Sequence, residues 1–230
     1  MAAITWHDGS AEVERLVVGQ TDEQIVATLA DADKVGIDCP VGWPEPFVEF
    51  LTAHRAGRPI PPTDLAARRR LAYRTTDLAV IAEFGIRPLS VSADLIGHAA
   101  MRAAGLLSAL ADAGRPVDRA GSGLVVESYP AAALRQWGLY RPRYKGAGSA
   151  ATRDLLIHDL LTAAPALRLG SEQAALCSRS DDALDAILCA FIARAAALGR
   201  VTTPDPEQAA AAATEGWIAV PTCAIAELFG

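Results

Sequence analysis

Cysteine, histidine and lysine are scarce in this chain, and each shortage excludes something. The 4 cysteines, Cys39, Cys177, Cys189 and Cys223, lie far apart and form no CxxC pair. Neither a thiolate zinc site nor a disulfide framework is expected, and a reducing, cytoplasmic setting fits. The 4 histidines, His7, His54, His98 and His158, have no metal or triad spacing, and no GxSxG, P-loop or GxGxxG pattern occurs. No apolar run reaches the roughly 18 residues of a spanning helix. Asp8 and Glu12 interrupt the N-terminal stretch before any apolar segment. Neither a membrane partner nor export is therefore expected. Basic residues number 21 against 27 acidic ones, a net charge of −6. A uniformly basic surface is excluded, so a polyanion would need a local patch.

What is present describes a folded chain. With 230 residues, 51% hydrophobic and 21% charged, it can bury a large core, which predicts a single α/β domain over 1–230. Segments 43–67 and 138–150 read as loops or caps. No repeat of fixed period and no long low-complexity linker interrupts it. Alternating residues on either side of Asp8-Gly9-Ser10 predict a β-hairpin. Thr21 with Gln24 predicts a capping box and a helix ending near Ala32. Lys34-Val35-Gly36-Ile37-Asp38-Cys39-Pro40 and Gly123-Leu124-Val125-Val126-Glu127-Ser128-Tyr129-Pro130 share one design, a buried apolar strand ending on a carboxylate before a proline. Helices are expected over 68–82, 93–113, from 131 to 137, over 151–162 and from the Ser180 cap to Gly199.

Asp38 and Glu127 each close an apolar strand, and in open α/β sheets ligands bind beyond those strand ends. Asp182 and Asp185, three apart at the start of the last long helix, project from one face, with Asp181 off that face. Carboxylates gathered in one place repel each other and need a counterion; hard oxygen donors select Mg²⁺, Mn²⁺ or Ca²⁺ over zinc. Such a metal site over Asp38, Glu127, Asp182 and Asp185 is the arrangement that activates water toward a phosphodiester. Two basic groups lie elsewhere. One contains Arg55, Arg58, Arg68, Arg69, Arg70 and Arg74. The other contains Arg135, Arg141, Arg143 and Lys145, interleaved with Trp137, Tyr140 and Tyr144 and free of acids. Arg68, Arg69, Arg74, Arg143 and Lys145 are the candidate nucleic-acid contacts, with the aromatics as stacking platforms. Lys145 is one of only two lysines.

The blocks Gly36-Ile37-Asp38-Cys39-Pro40-Val41-Gly42-Trp43-Pro44, Arg74-Thr75-Thr76-Asp77, Glu127-Ser128-Tyr129-Pro130, Asp181-Asp182-Ala183-Leu184-Asp185-Ala186 and Glu215-Gly216-Trp217-Ile218 occur in an order that resembles the predicted RNase H-like nucleases grouped as domain of unknown function 429. The resemblance runs from about Ile4 to Pro221. It implies an RNase H-like mixed sheet flanked by helices, with Asp38, Glu127, Asp182 and Asp185 as metal-binding acids and Mg²⁺ or Mn²⁺ as cofactor. Similar members open with a further strand carrying Gly-x-Asp, the first metal-bridging acid. This chain begins on what corresponds to the second strand, and Asp8 in the hairpin turn is no substitute. The resemblance therefore implies either a start further upstream or a site without its principal ligand. Two other classes use the same residues differently: a degenerate domain that binds nucleic acid or nucleotide without cutting it, and a regulatory interaction domain whose acids are helix caps and turns. An actin-like phosphotransferase would need glycine-rich phosphate loops after the first hairpin, and none is there.

Overall fold

The alternation at the start of the chain folds into a hairpin. In the computed structural model, which describes residues 1–58, 64–115 and 117–230, β1 (Ala2–His7) pairs antiparallel with β2 (Ser10–Leu16). Gly9, at φ 74°, takes the left-handed turn conformation that glycine adopts without a Cβ penalty. Helix α1 (Asp22–Leu29) follows. Thr21 Oγ1 accepts from the Gln24 amide at 3.4 Å while Gln24 Oε1 accepts from the Thr21 amide at 3.0 Å, the expected capping box. Next come β3 (Val35–Ile37), α2 (Glu45–Arg55), α3 (Leu65–Ala72), α4 (Thr75–Phe84), α5 (Gly97–Asp112) and β4 (Val125–Ser128). The chain continues through α6 (Pro130–Gln136), α7 (Ala150–Ala163), β5 (Leu167–Arg168), α8 (Ser171–Arg179), α9 (Asp181–Ala197), α10 (Ala209–Glu215) and β6 (Ile218–Ala219). This is a mixed α/β protein with small open sheets. No helix among the described residues is long and apolar enough to cross a membrane.

The chain divides into two compact units. The first comprises Met1–Asp38, Ser128–Thr202 and Val220–Gly230, and the second Cys39–Glu127 and Thr203–Ala219. Each unit gathers segments distant in sequence, so the division leaves no linker for composition to reveal.

In the first unit β5 adds to β2 in parallel, giving the sheet order β1-β2-β5. Helix α9 is its core element. Ser180 Oγ accepts from the Ala183 amide at 3.2 Å, and Leu184, Ile187, Leu188, Phe191 and Ile192 are wholly buried. A helix apolar on this many sides belongs inside a core. The Phe191 ring meets Trp6, Phe229 and Trp137 at centroid distances of 5.3, 6.0 and 6.3 Å, edge-on in each case, an arrangement the ring quadrupoles favour. Gly36 lets this helix approach β3: a Cβ there would stand 2.3 Å from the Cys189 carbonyl oxygen and 2.6 Å from Ser128 Oγ. The β5 and α8 segments were not expected from the sequence.

In the second unit α5 turns Ala100, Ala103, Leu106, Leu107 and Leu110 inward at helical spacing. Val125, Val126 and Glu127 of β4 are buried, and β6 lies beside that strand. The helix expected over 68–82 is two helices, α3 and α4, broken at Tyr73 and Arg74. The break has a physical cause: Arg74 is drawn into a buried ion cluster, and Asp77 Oδ2 accepts the Arg74 amide at 2.9 Å, restarting the helix. The expected loop over 43–67 instead contains α2 and the start of α3; its residues 59–63 lie outside the described residues. The 138–150 segment is largely irregular and ends in a 3-10 turn before α7.

Candidate functional site

Two ion clusters stand out, one in each unit. The cluster in the second unit is closed. Arg74 is 1% exposed and uses all five of its N–H groups. Nη1 donates to Glu127 Oε2 at 2.7 Å and to the Glu215 carbonyl at 3.2 Å. Nη2 donates to Glu127 Oε1 at 2.7 Å and to Asp77 Oδ1 at 2.8 Å, and Nε donates to Asp77 Oδ2 at 3.2 Å. Burial alone would lower the Arg74 pKa, but the Glu127 and Asp77 carboxylates outweigh it and raise it, so the guanidinium stays charged. Glu127 Oε2 also accepts the Val41 amide at 3.1 Å. Glu215 completes the arrangement: its two oxygens accept the amides of Glu45 at 2.9 Å and Thr75 at 2.7 Å, the first residues of α2 and α4. A carboxylate is favoured at a helix N-terminus, and here one serves two.

This cluster explains three of the sequence blocks and redirects two candidate residues. Arg74 has no N–H left for a phosphate, which corrects its reading as a nucleic-acid contact. Both Glu127 oxygens face the guanidinium, so the acid that closes β4 is engaged as an internal ion pair. Gly216, at φ 92°, stands where a Cβ would meet Val41 Cγ2 at 2.5 Å and Glu127 Oε2 at 3.1 Å. Glu215-Gly216 is thus part of the same closed packing.

The cluster in the first unit is open. Asp38, just past β3, has a side chain 35% exposed, and Asp185, on the inward face of α9, is 5% exposed. Lys145 Nζ lies 2.7 Å from Asp185 Oδ2 and 3.7 Å from Asp38 Oδ2, with its side chain 51% exposed. The Tyr144 hydroxyl donates to Asp185 Oδ1 at 2.8 Å. Burial raises the Asp185 pKa, with Lys145 and Tyr144 pulling the other way. Burial would lower that of Lys145, but Asp185 and Asp38 more than offset it, so the ammonium is held charged. Burial, and then the Asp185 charge, raise the Tyr144 pKa, which keeps the phenol a donor. Cys189 is buried beside these acids and its pKa is raised, first by burial, so it stands as a thiol. The Ser128 hydroxyl, against Gly36 and Cys189, makes no hydrogen bond of ordinary geometry.

Helical geometry sorts the remaining acids. Asp182 is exposed, and its charge acts on the Met1 ammonium. Asp181, four residues before Asp185, reaches the cluster instead, accepting the Gly146 amide at 3.1 Å. The i, i+4 neighbour, not the i, i+3 one, therefore faces Lys145. Arg68 and Arg69 are exposed on α3 in the second unit, and Arg143 is exposed beside Lys145 in the first. Tyr144 is buried and Trp137 donates Nε1–H to the Cys223 carbonyl at 3.2 Å, so neither is a stacking platform; Tyr140 is 38% exposed. The sequence reading missed Arg153, whose place in a helix of mixed residues carries no sign that it is 1% exposed.

Among the described residues no three His, Cys, Asp or Glu side chains stand together as a metal-holding group. Mg²⁺ needs less than that: it keeps several waters and is held by one or two carboxylates plus substrate phosphates. The hard oxygens of Asp38 and Asp185 fit such an ion, in the place that the Lys145 ammonium now neutralises.

The fold and cluster thus define a mixed α/β protein with an acid pair around one cation. The sequence profile of the family of unknown function DUF429 matches residues 1–209, so the chain belongs to that family. No curated protein and no solved structure matches it.

Proposed function

We propose that the chain is a divalent-metal-dependent phosphodiester hydrolase of RNase H-like type, acting on nucleic acid in the cytoplasm. One observation carries the reading: a strand-end acid and a late-helix acid, Asp38 and Asp185, share a single cation on a basic loop. The hairpin, helix and acid-tipped strand that open the chain support the RNase H-like order.

Asp38 and Asp185 would hold the ion, with Asp181 one turn earlier on α9 as the neighbouring acid, exposed Asp182 outside the cluster and Glu127 engaged by Arg74. When bound, Mg²⁺ or Mn²⁺ supplies an acidified water and neutralises charge on the phosphodiester. The chain's own residues set the geometry. Tyr144 fixes one Asp185 oxygen by hydrogen bonding, which leaves the other for a cation. Arg143 and Lys145 add positive charge where the backbone of a polyanion would run, a contribution screened by salt. Arg68 and Arg69 offer a similar patch on the second unit.

The test is cleavage of a panel of structured DNA and RNA with Mn²⁺ by the parent chain and by Asp38→Asn and Asp185→Asn. Metal-dependent product from the parent alone supports the reading, and product undiminished in both variants contradicts it. A second reading, binding without cleavage, is favoured by the 2.7 Å pairing of Lys145 with Asp185, which satisfies the acid without any metal. It predicts salt-dependent affinity and no product.

A further inference from the structure

The loop that carries Lys145 is held from several sides. Arg143 has φ 60°, the one positive value at a non-glycine residue among the described residues. L side chains disfavour that conformation, and it persists where the surroundings over-determine the backbone. The surroundings here are specific. Arg153 Nη1 donates to the carbonyls of Tyr144 and Gly146, both at 2.8 Å, and its Nε to the Ser178 carbonyl at 2.8 Å. The carbonyls of the residues on either side of Lys145 are therefore clamped by one buried guanidinium. A lysine on a free loop would spread over many rotamers and lose that freedom on pairing. Clamping the backbone on both sides lowers the cost of keeping Nζ at the acid pair.

We propose that Arg153 is the positioning residue that fixes Lys145 between Asp38 and Asp185, so that its ammonium is the resident cation of the pair and a divalent ion binds there only by displacing it. The inference rests on the reading of that pair as a cation site and adds its regulation. Charge supports exchange over co-occupancy: a divalent ion matches the charge of two carboxylates by itself, and an ammonium held beside it would be repelled. Half-exposed Lys145 has room to leave, and once displaced it is free to meet the phosphate that a metal-bound substrate brings.

The test is calorimetric titration of Mn²⁺ into the full chain as parent, Lys145→Met, Lys145→Arg, Arg153→Gln and the Arg153→Gln/Lys145→Met double variant, each checked for folding by circular dichroism. A site occupied by Lys145 nine-tenths of the time has its apparent metal affinity reduced by about tenfold. Lys145→Met should therefore bind at least about tenfold more tightly than the parent, and Lys145→Arg should not. Arg153→Gln should tighten binding by a smaller factor and add nothing on top of Lys145→Met, the signature of two residues acting through one contact. Should Arg153→Gln not fold, Arg153→Lys, which has a shorter reach and no donor for the Ser178 carbonyl, takes its place. Equal affinity in the parent and Lys145→Met overturns the inference and leaves the cation site standing. Additive effects of the two substitutions overturn the positioning role. Absence of binding in every variant overturns both the inference and the metal reading.

Discussion

Arg74 and Lys145 each bridge a pair of carboxylates, yet the two arrangements differ in a way that separates scaffold from site. Arg74 is buried with five donors on five acceptors, two carboxylates among its partners, and every Glu127 oxygen is matched. Lys145 is half exposed, pairs closely with one acid and loosely with the other, and leaves donors to solvent. The planar guanidinium fork suits a fixed, buried geometry, whereas the ammonium is a compact charge on a flexible stem. A saturated, buried cluster cannot exchange its cation without unfolding around it; an open one can. On the metal reading proposed above, the acids that would hold the ion are those beside the lysine.

The comparison is broken most strongly by emptying the closed cluster. Arg74→Met leaves Glu127 and Asp77 buried without their counterion, and a broken buried pair costs about 3–5 kcal/mol. Denaturant unfolding should show that loss in midpoint at constant slope; a loss under about 1 kcal/mol would mean that water reaches the cluster. In the open cluster Tyr144→Phe removes a hydrogen bond to a buried carboxylate, an expected loss of about 1.5–3 kcal/mol by the same measurement. Lys145→Met should cost only about 1 kcal/mol, because half of that side chain is in solvent and Tyr144 still serves Asp185. If Lys145→Met were as damaging as Arg74→Met, the distinction between closed and open would fail.

The smallest effect concerns a carboxylate outside both clusters. Asp118 accepts from the Ala120 amide at 2.9 Å, the Ser122 amide at 2.7 Å and the Ser122 hydroxyl at 2.6 Å. Burial would raise its pKa, but these donors together hold it below the usual 3.8. A depressed carboxylate contributes stability that is present above its unfolded value and lost as pH falls through the folded value. Asp118→Asn should therefore be less stable than the parent by up to about 1 kcal/mol near neutral pH, and the two should converge in acid once the pH has fallen below the lowered value of Asp118. Parallel pH–stability curves for the two proteins would contradict this.

What the sequence could foretell follows from how local each cause is. The hairpin, the Thr21 box, the two acid-tipped strands and the Ser180 cap rest on residues within four or five positions of each other. All are where the pattern puts them. The break at Tyr73 and Arg74 is not local: it depends on Glu127, 53 residues away, and on the Glu215 carbonyl, 141 away. Periodicity over 68–82 had no access to that pull. Strand β5 has two residues, too few for an alternation to register. Helix α8 did carry a signal, since Gln173 Oε1 accepts the Gly170 amide at 2.8 Å in a box-like start. In the site, Asp38, Asp185 and Lys145 were legible as residue types in suggestive places. The separation of Glu127 from them was not, because an isolated strand-end acid does not reveal which cation it meets. Nor was Arg153, whose partners are backbone carbonyls and so leave no mark in residue identity.

The central claim is that the open cluster, not the closed one, holds the exchangeable cation. Titrating Mn²⁺ by calorimetry into the parent, Asp185→Asn and Glu127→Gln, each shown to be folded by circular dichroism, tests it most directly. The account predicts stoichiometric binding by the parent and by Glu127→Gln, with binding lost in Asp185→Asn. Binding that survives in Asp185→Asn and disappears in folded Glu127→Gln would contradict it.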